Sequence, residues 1–107
     1  MASNRYIFTS WAREDLDSIL TYIFRVLGNP PAAKDFYNHV FKHLENLCSY
    51  PECFPLIENE FVKREDIRKI PIDNYVLYYT YDKEKSIISV LRIVYARRDI
   101  DEILKRF

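Results

Sequence analysis

Glycine is almost missing from this chain: there is one, Gly28, in 107 residues. Loops that cradle phosphate need several positions without a side chain, so the glycine-rich nucleotide-binding turns are excluded. Cys48 and Cys53 are too few and wrongly spaced for a zinc knuckle or a C-x-x-C redox pair, and they read as reduced thiols. No apolar run approaches the roughly 20 residues of a membrane-spanning helix, and the opening Met-Ala-Ser-Asn-Arg lacks the apolar segment of a secretory signal. A cytoplasmic protein with no membrane partner is therefore expected. Charge of one sign is missing too. Sixteen Lys and Arg balance sixteen Asp and Glu, so the bulk charge does not announce a nucleic-acid binder. A local basic patch stays open.

What is present is ordinary for a soluble globule. Apolar residues make up 49% and charged ones 30%, and the length suits one domain over residues 1–107 with one core. The informative stretch runs from Ile67 to Asp99, where isoleucine, valine and tyrosine dominate as they do on a partly buried pleated surface. Asp73-Asn74 and Asp82-Lys83-Glu84-Lys85 divide it into three runs. No segment between the runs is long enough for a crossover, so the strands must pair antiparallel as a meander. In the last run Ile87, Ser89, Leu91, Ile93 and Tyr95 alternate with Ile88, Val90, Arg92 and Val94. Both sets are mostly apolar. One face takes helices, and the other carries Arg92, a charge that needs either an internal acidic partner or a wet groove kept for something outside the core.

The helices precede this stretch. After a short strand-forming run, Arg5–Phe8, Thr9 or Ser10 can cap a helix whose apolar positions are Ala12, Leu16, Ile19, Leu20, Ile23, Phe24 and Leu27. Glu14 and Asp15 stand in its first turns, where the helix dipole favours acids. Gly28-Asn29 ends it. Asn29 then caps a second helix with Pro30 at its first position, and Ala33, Phe36, Val40, Leu44 and Leu47 form a stripe bordered by Tyr37 and Phe41. Pro51 stops it near Tyr50. So short a link makes an antiparallel hairpin, and its apolar face must lie on the sheet.

His39 and His43 share a helix face with Asp35, but H-x-x-x-H without an intervening Glu or a third ligand reads as a solvated face. No metal or cofactor is called for. Residues 50–66 read as a packed linker whose Phe54, Leu56 and Ile57 tuck under the helix ends. Asp99 and Glu102 look like a capping box for a short terminal helix. The expected fold is α+β: an antiparallel helix hairpin packed on a mainly antiparallel β-sheet, in the order β-α-α-β-β-β plus a short C-terminal helix.

This order, with A-R-E-D-L-D-S-I-L-T-Y-I (12–23), N-P-P-A-A (29–33), N-Y-V-L-Y-Y (74–79) and L-R-I-V-Y-A-R-R-D-I (91–100), resembles the RelE/ParE superfamily of toxins. The resemblance covers nearly the whole chain and implies the toxin of a type II toxin–antitoxin pair. It further implies a cognate antitoxin that winds over the helices and the open sheet face, as a possible hetero-oligomer.

Two branches imply different chemistry. RelE-like enzymes cut mRNA on the ribosome, which needs a base for the 2′ proton, cations for the phosphorane and an acid for the leaving oxygen. Arg68, Lys69, Arg97 and Arg98 match that branch's basic positions. However, Val76 stands where a basic residue follows the tyrosine of the middle strand, and Ile103 or Leu104 stands where a tyrosine or histidine would move protons. A chain with no cationic surplus is also poorly suited to a site walled by RNA phosphate. The run L-R-I-V-Y-A-R-R-D is similar to the ParE branch, whose members poison DNA gyrase by a protein–protein contact. That likeness makes Arg92, Arg97 and Arg98 target-contact residues. The plainer alternative for the last two is a helix-entry salt bridge, such as Arg98 with Asp101 or Glu102, worth ~0.5 kcal/mol at a surface. A remnant that only binds antitoxin and regulates transcription is the third reading.

Overall fold

A computed structural model describes residues 4–58, 64–98, 103 and 104. Its elements are β1 (Arg5–Phe8), α1 (Ser10–Thr21), a π-helical turn (Tyr22–Val26), α2 (Pro30–Ser49), β2 (Arg68–Ile72), β3 (Tyr75–Asp82) and β4 (Ile87–Tyr95). The strands form one sheet in the order β1-β4-β3-β2. β2, β3 and β4 are the expected antiparallel meander, while β1 lies parallel to β4, with Arg5 opposite Ile87 and Phe8 opposite Val90. The helical hairpin is the crossover that this parallel pairing requires.

The hairpin caps as the sequence suggests. Thr9 Oγ1 accepts from the Ala12 amide at 3.1 Å, and Asn29 Oδ1 accepts from the Ala32 amide at 3.1 Å. All five predicted stripe positions of α2 are buried: Ala33, Phe36, Val40, Leu44 and Leu47. They join Ala12, Leu16, Ile19 and Ile23 above Ile70, Ile72, Leu77, Tyr79, Ile88, Val90 and Ile93 of the sheet.

The end of the first helix departs from expectation. The Leu27 amide bonds to the Tyr22 carbonyl, five residues back, which defines a π turn. Each residue in such a turn advances less than in an α-helix. Phe24 and Leu27 are thereby rotated off the buried stripe, and both are exposed. Gly28, at φ +59°, then closes the helix in the left-handed region, where a glycine carries no penalty.

β4 departs as well, and the consequence is larger. Tyr78 pairs with Arg92, but Tyr79 pairs with Val90, so Leu91 is an extra residue and β4 carries a bulge. Strict alternation therefore fails past Val90. Ile93 returns to the helix side with Ile88 and Val90, while Leu91 and Val94 face the other way with Tyr78. No glycine marks the bulge, so composition gives no warning of it.

The far side of the sheet is not left open as expected. Ile67, Tyr78, Leu91, Val94, Ile103 and Leu104 form a second buried cluster there, with Ile57 and Val76 packed against it. An apolar sheet face must be covered, and residues from the linker and the C-terminal segment cover this one. Of the three linker residues expected under the helix ends, Phe54 packs on the main core, Ile57 joins the second cluster, and Leu56 bridges to Arg68 at the sheet edge. The Asp99–Glu102 capping box lies outside the described residues.

Tyr79 links the sheet to the linker. Its ring is fully buried and its hydroxyl donates to the Pro51 carbonyl at 2.9 Å. Burial pushes its pKa up to about 12, so it remains a donor at any working pH. Tyr79→Phe removes only that bond and is expected to cost about 1 kcal/mol. Tyr79→Ala empties a core site and is expected to cost about 3–5 kcal/mol. Thermal denaturation of both variants checks the ranking, and equal losses would contradict the assigned packing.

Candidate functional site

The basic residues singled out in the sequence do not form one cluster. Arg92 is engaged internally: Nε and Nη2 donate to the two Asp15 carboxylate oxygens at 2.7 and 2.9 Å. Both side chains are only 15% exposed. Asp15 Oδ2 also accepts from the Ile93 amide at 3.0 Å. Of the two possibilities open for a charge on this strand, the fold uses the internal acidic partner. Asp15 was missed as that partner because it stands 77 residues away, and its position early in α1 read as a dipole-favoured acid.

Arg68 is likewise occupied. Its Nη1 donates to the Phe54 carbonyl at 2.6 Å and the Glu52 carbonyl at 3.2 Å, and Nη2 lies 4.0 Å from the Glu52 carboxylate. This guanidinium ties the linker to the sheet edge. Lys69 is exposed on β2, in one row with Tyr78 and Arg92 across the sheet. Arg97 and Arg98 are exposed in the turn beyond β4. That turn is fixed through its backbone, with the Ala96 amide bonded to the Asn74 carbonyl and the Arg98 amide to the Tyr95 carbonyl, each at 3.0 Å. Tyr95 is three rungs past Arg92, so roughly 10 Å of strand separates the arginine pair from the Lys69 row. The salt bridge from Arg98 to Asp101 or Glu102 lies outside the described residues.

Groups that could move a proton are few around these cations. Tyr78 lies in the row with Lys69 and Arg92, and burial raises its pKa, which holds it in the phenol form. Tyr75 is raised in the same way by burial, with smaller contributions from Tyr22 and Tyr95, and its ring meets Tyr95 edge-on at 5.8 Å. Burial also raises the Cys48 thiol, with Glu45 adding to it, which opposes the reactive thiolate. Ile103 and Leu104, the positions where the resemblance asked for a tyrosine or histidine, are buried in the second cluster. Among the described residues, no three His, Cys, Asp or Glu side chains are grouped to hold a metal ion. His39 Nδ1 instead meets both Asp73 oxygens at 3.1 and 3.0 Å, while the His43 ring stands edge-on to Phe54 at 5.9 Å.

Comparison with known proteins decides the family. The family described as "ParE toxin of type II toxin-antitoxin system, parDE" matches residues 6–100. The chain belongs to the ParE toxin family. The fold of this ParE-family toxin is shared with solved relatives at low identity. The chromosomal ParDE system of P. aeruginosa matches with a TM-score of 0.68 and 18% identity, over 89% of this chain and 98% of that one. The RelBE2 toxin–antitoxin complex of Mycobacterium tuberculosis gives 0.60 and 19%, over 86% and 96%. The isolated E. coli RelE toxin gives 0.60 and 19%, over 97% and 98%. No curated protein matches the sequence as a relative. Both branches of the superfamily therefore share this architecture, and what separates them must be sought in side chains. No helix among the described residues of this toxin is long and apolar enough to cross a membrane.

His43 supplies a pH test of the packing. Burial lowers its pKa, the neighbouring His39 lowers it further, Asp73 opposes and Lys42 adds a little. A histidine whose folded pKa lies below its unfolded value of about 6.5 takes up protons more readily when unfolded. Its contribution therefore favours the fold above pH 6.5 and is lost as the pH falls below that value. The melting temperature is expected to drop between pH 7.5 and 5.5, and His43→Gln is expected to flatten that drop. An equal slope in the variant would place the titration elsewhere.

Proposed function

We propose that this chain is the growth-inhibiting toxin of a type II pair, acting on DNA gyrase by docking and neutralised by a cognate antitoxin. The observation that carries this reading over mRNA cleavage is the burial of Ile103 and Leu104, 8% and 1% exposed, where a nuclease would need a proton-transferring side chain. Arg68 points the same way. It belongs to the nuclease set by position, yet its guanidinium holds the linker carbonyls. A phosphorane needs cations that can converge on it, and the exposed ones, Lys69 and the Arg97–Arg98 pair, are set apart along the sheet. Docking asks less. Arg97 and Arg98 side by side on an anchored turn offer planar, fork-like donors to carboxylates of a protein partner. Zero net charge suits a protein target better than one walled by phosphate.

The antitoxin partner is supported by relatives of the same fold: the RelBE2 structure from Mycobacterium tuberculosis and the RelE–RelB structure from Pyrococcus horikoshii are both complexes of the two proteins. A hetero-oligomer with the antitoxin is the expected resting form.

Induction of the toxin without antitoxin tests the target. Growth arrest with intact transcripts and an induced DNA-damage response is the expected result. Transcripts cut within codons on ribosomes would instead establish the nuclease, with Lys69, Arg97 and Arg98 as its exposed cations. Unaffected growth would establish the antitoxin-binding remnant. Arg97→Ala/Arg98→Ala is expected to lower toxicity by about tenfold or more, the loss of a small exposed hot spot, with antitoxin binding retained. Full toxicity of that variant, read from colony counts after induction, would remove the pair from the contact surface.

A further inference from the structure

β4 runs for nine residues but β1 for only four, so the strand-to-strand ladder on that edge ends at Phe8 opposite Val90. The bulge at Leu91 follows at once, and a bulge bends a strand and changes which amides face its edge. Past this point the strand that leads to Arg97 and Arg98 is laddered to β3 on one edge only, and β1 no longer holds the other. The backbone and side chain of Thr9, the N-cap of α1, take over from β1. The Thr9 amide donates to the Val90 carbonyl at 3.0 Å, and Thr9 Oγ1 donates to the Leu91 carbonyl at 2.8 Å. Two turns further on, the Asp15 carboxylate grips both the Arg92 guanidinium and the Ile93 amide.

We infer that Asp15, acting through Arg92, is a positioning residue for the arginine-bearing end of β4. Three features support more than a generic packing role. The bond pattern is directional: a planar fork closed on one carboxylate fixes an orientation as well as a distance. The same carboxylate holds the backbone at Ile93, two residues before the strand ends at Tyr95. On the opposite edge the following turn is held by Asn74. The segment presenting Arg97 and Arg98 is thus fixed from both sides, by α1 before it and by the β2–β3 turn after it. Arg92 serves the contact surface indirectly, by setting where its two neighbours stand. This inference rests on the docking role proposed for Arg97 and Arg98.

The test is the double variant Asp15→Leu/Arg92→Met. Removing both charges leaves no unpaired ion, and apolar replacement of a buried pair is compatible with folding. Amide hydrogen exchange then reads the strand end directly. Exchange from Ile93 to Arg98 is expected to speed up by about tenfold or more, with Leu77 and Val90 unaltered, because local opening is separable from global unfolding. Toxicity is expected to fall by a similar factor. Should the double variant not fold, Arg92→Lys keeps the charge but loses the fork, and a smaller acceleration over the same residues is expected. Unchanged exchange at Ile93 to Arg98 in the variant measured overturns the clamp. Faster exchange with full toxicity overturns its functional role if Arg97→Ala/Arg98→Ala is inactive. If that alanine variant is fully toxic as well, the docking role fails while the clamp stands.

Discussion

Buried backbone donors and acceptors must be paired, and in this fold that constraint is hardest to meet along β4. The strand is central, with β3 against its full length on one side and β1 against less than half on the other. The shortfall is made up by two side chains of the neighbouring helix, Thr9 and Asp15. Their presence explains why α1 lies where it does. A helix that both caps itself through Thr9 and supplies a donor from Thr9 and an acceptor from Asp15 to a strand edge cannot slide along the sheet without breaking bonds on both. The bulge, the buried ion pair and the seating of α1 are three aspects of one solution.

That solution also shapes the two faces of the sheet. Because Leu91 is an extra residue, Val94 and Leu91 both turn away from the helices and join Tyr78 in the second cluster. The far face is then apolar enough to draw in Ile57 from the linker and Ile103 and Leu104 from the C-terminal segment. Of the basic residues singled out in the sequence, Lys69 on β2 and the arginine pair beyond β4 stay exposed.

Much of this was legible in the chain itself. The α2 stripe, both N-caps, the glycine that ends the first helix and the three meander strands follow from local pattern, because each depends on residues within a turn or a hairpin of one another. The parts that were not legible depend on distant partners. Arg92 announced that it needed an acid or a wet groove, but nothing local could decide between them or choose Asp15 among sixteen acidic residues. The bulge carries no glycine and the π turn no proline, so neither left a mark in composition. Phe24 and Leu27 kept the helical spacing while the backbone beneath them changed pitch. The candidate site divides along the same line. Arg97 and Arg98 were candidates by resemblance and the fold adds that both are exposed, whereas the other commitments of Arg68 and Arg92 required the fold.

The closing residue of the first helix has a consequence of its own. A Cβ built on Gly28 meets nothing within 4 Å, so space is not what reserves this position; only its φ of +59° does. Position 28 therefore selects for handedness and is indifferent to bulk. An L-alanine there costs roughly 1–2 kcal/mol of backbone strain, while its mirror image, introduced by chemical synthesis, matches the turn without strain. Such a chain would lose less freedom on folding and be the more stable for it.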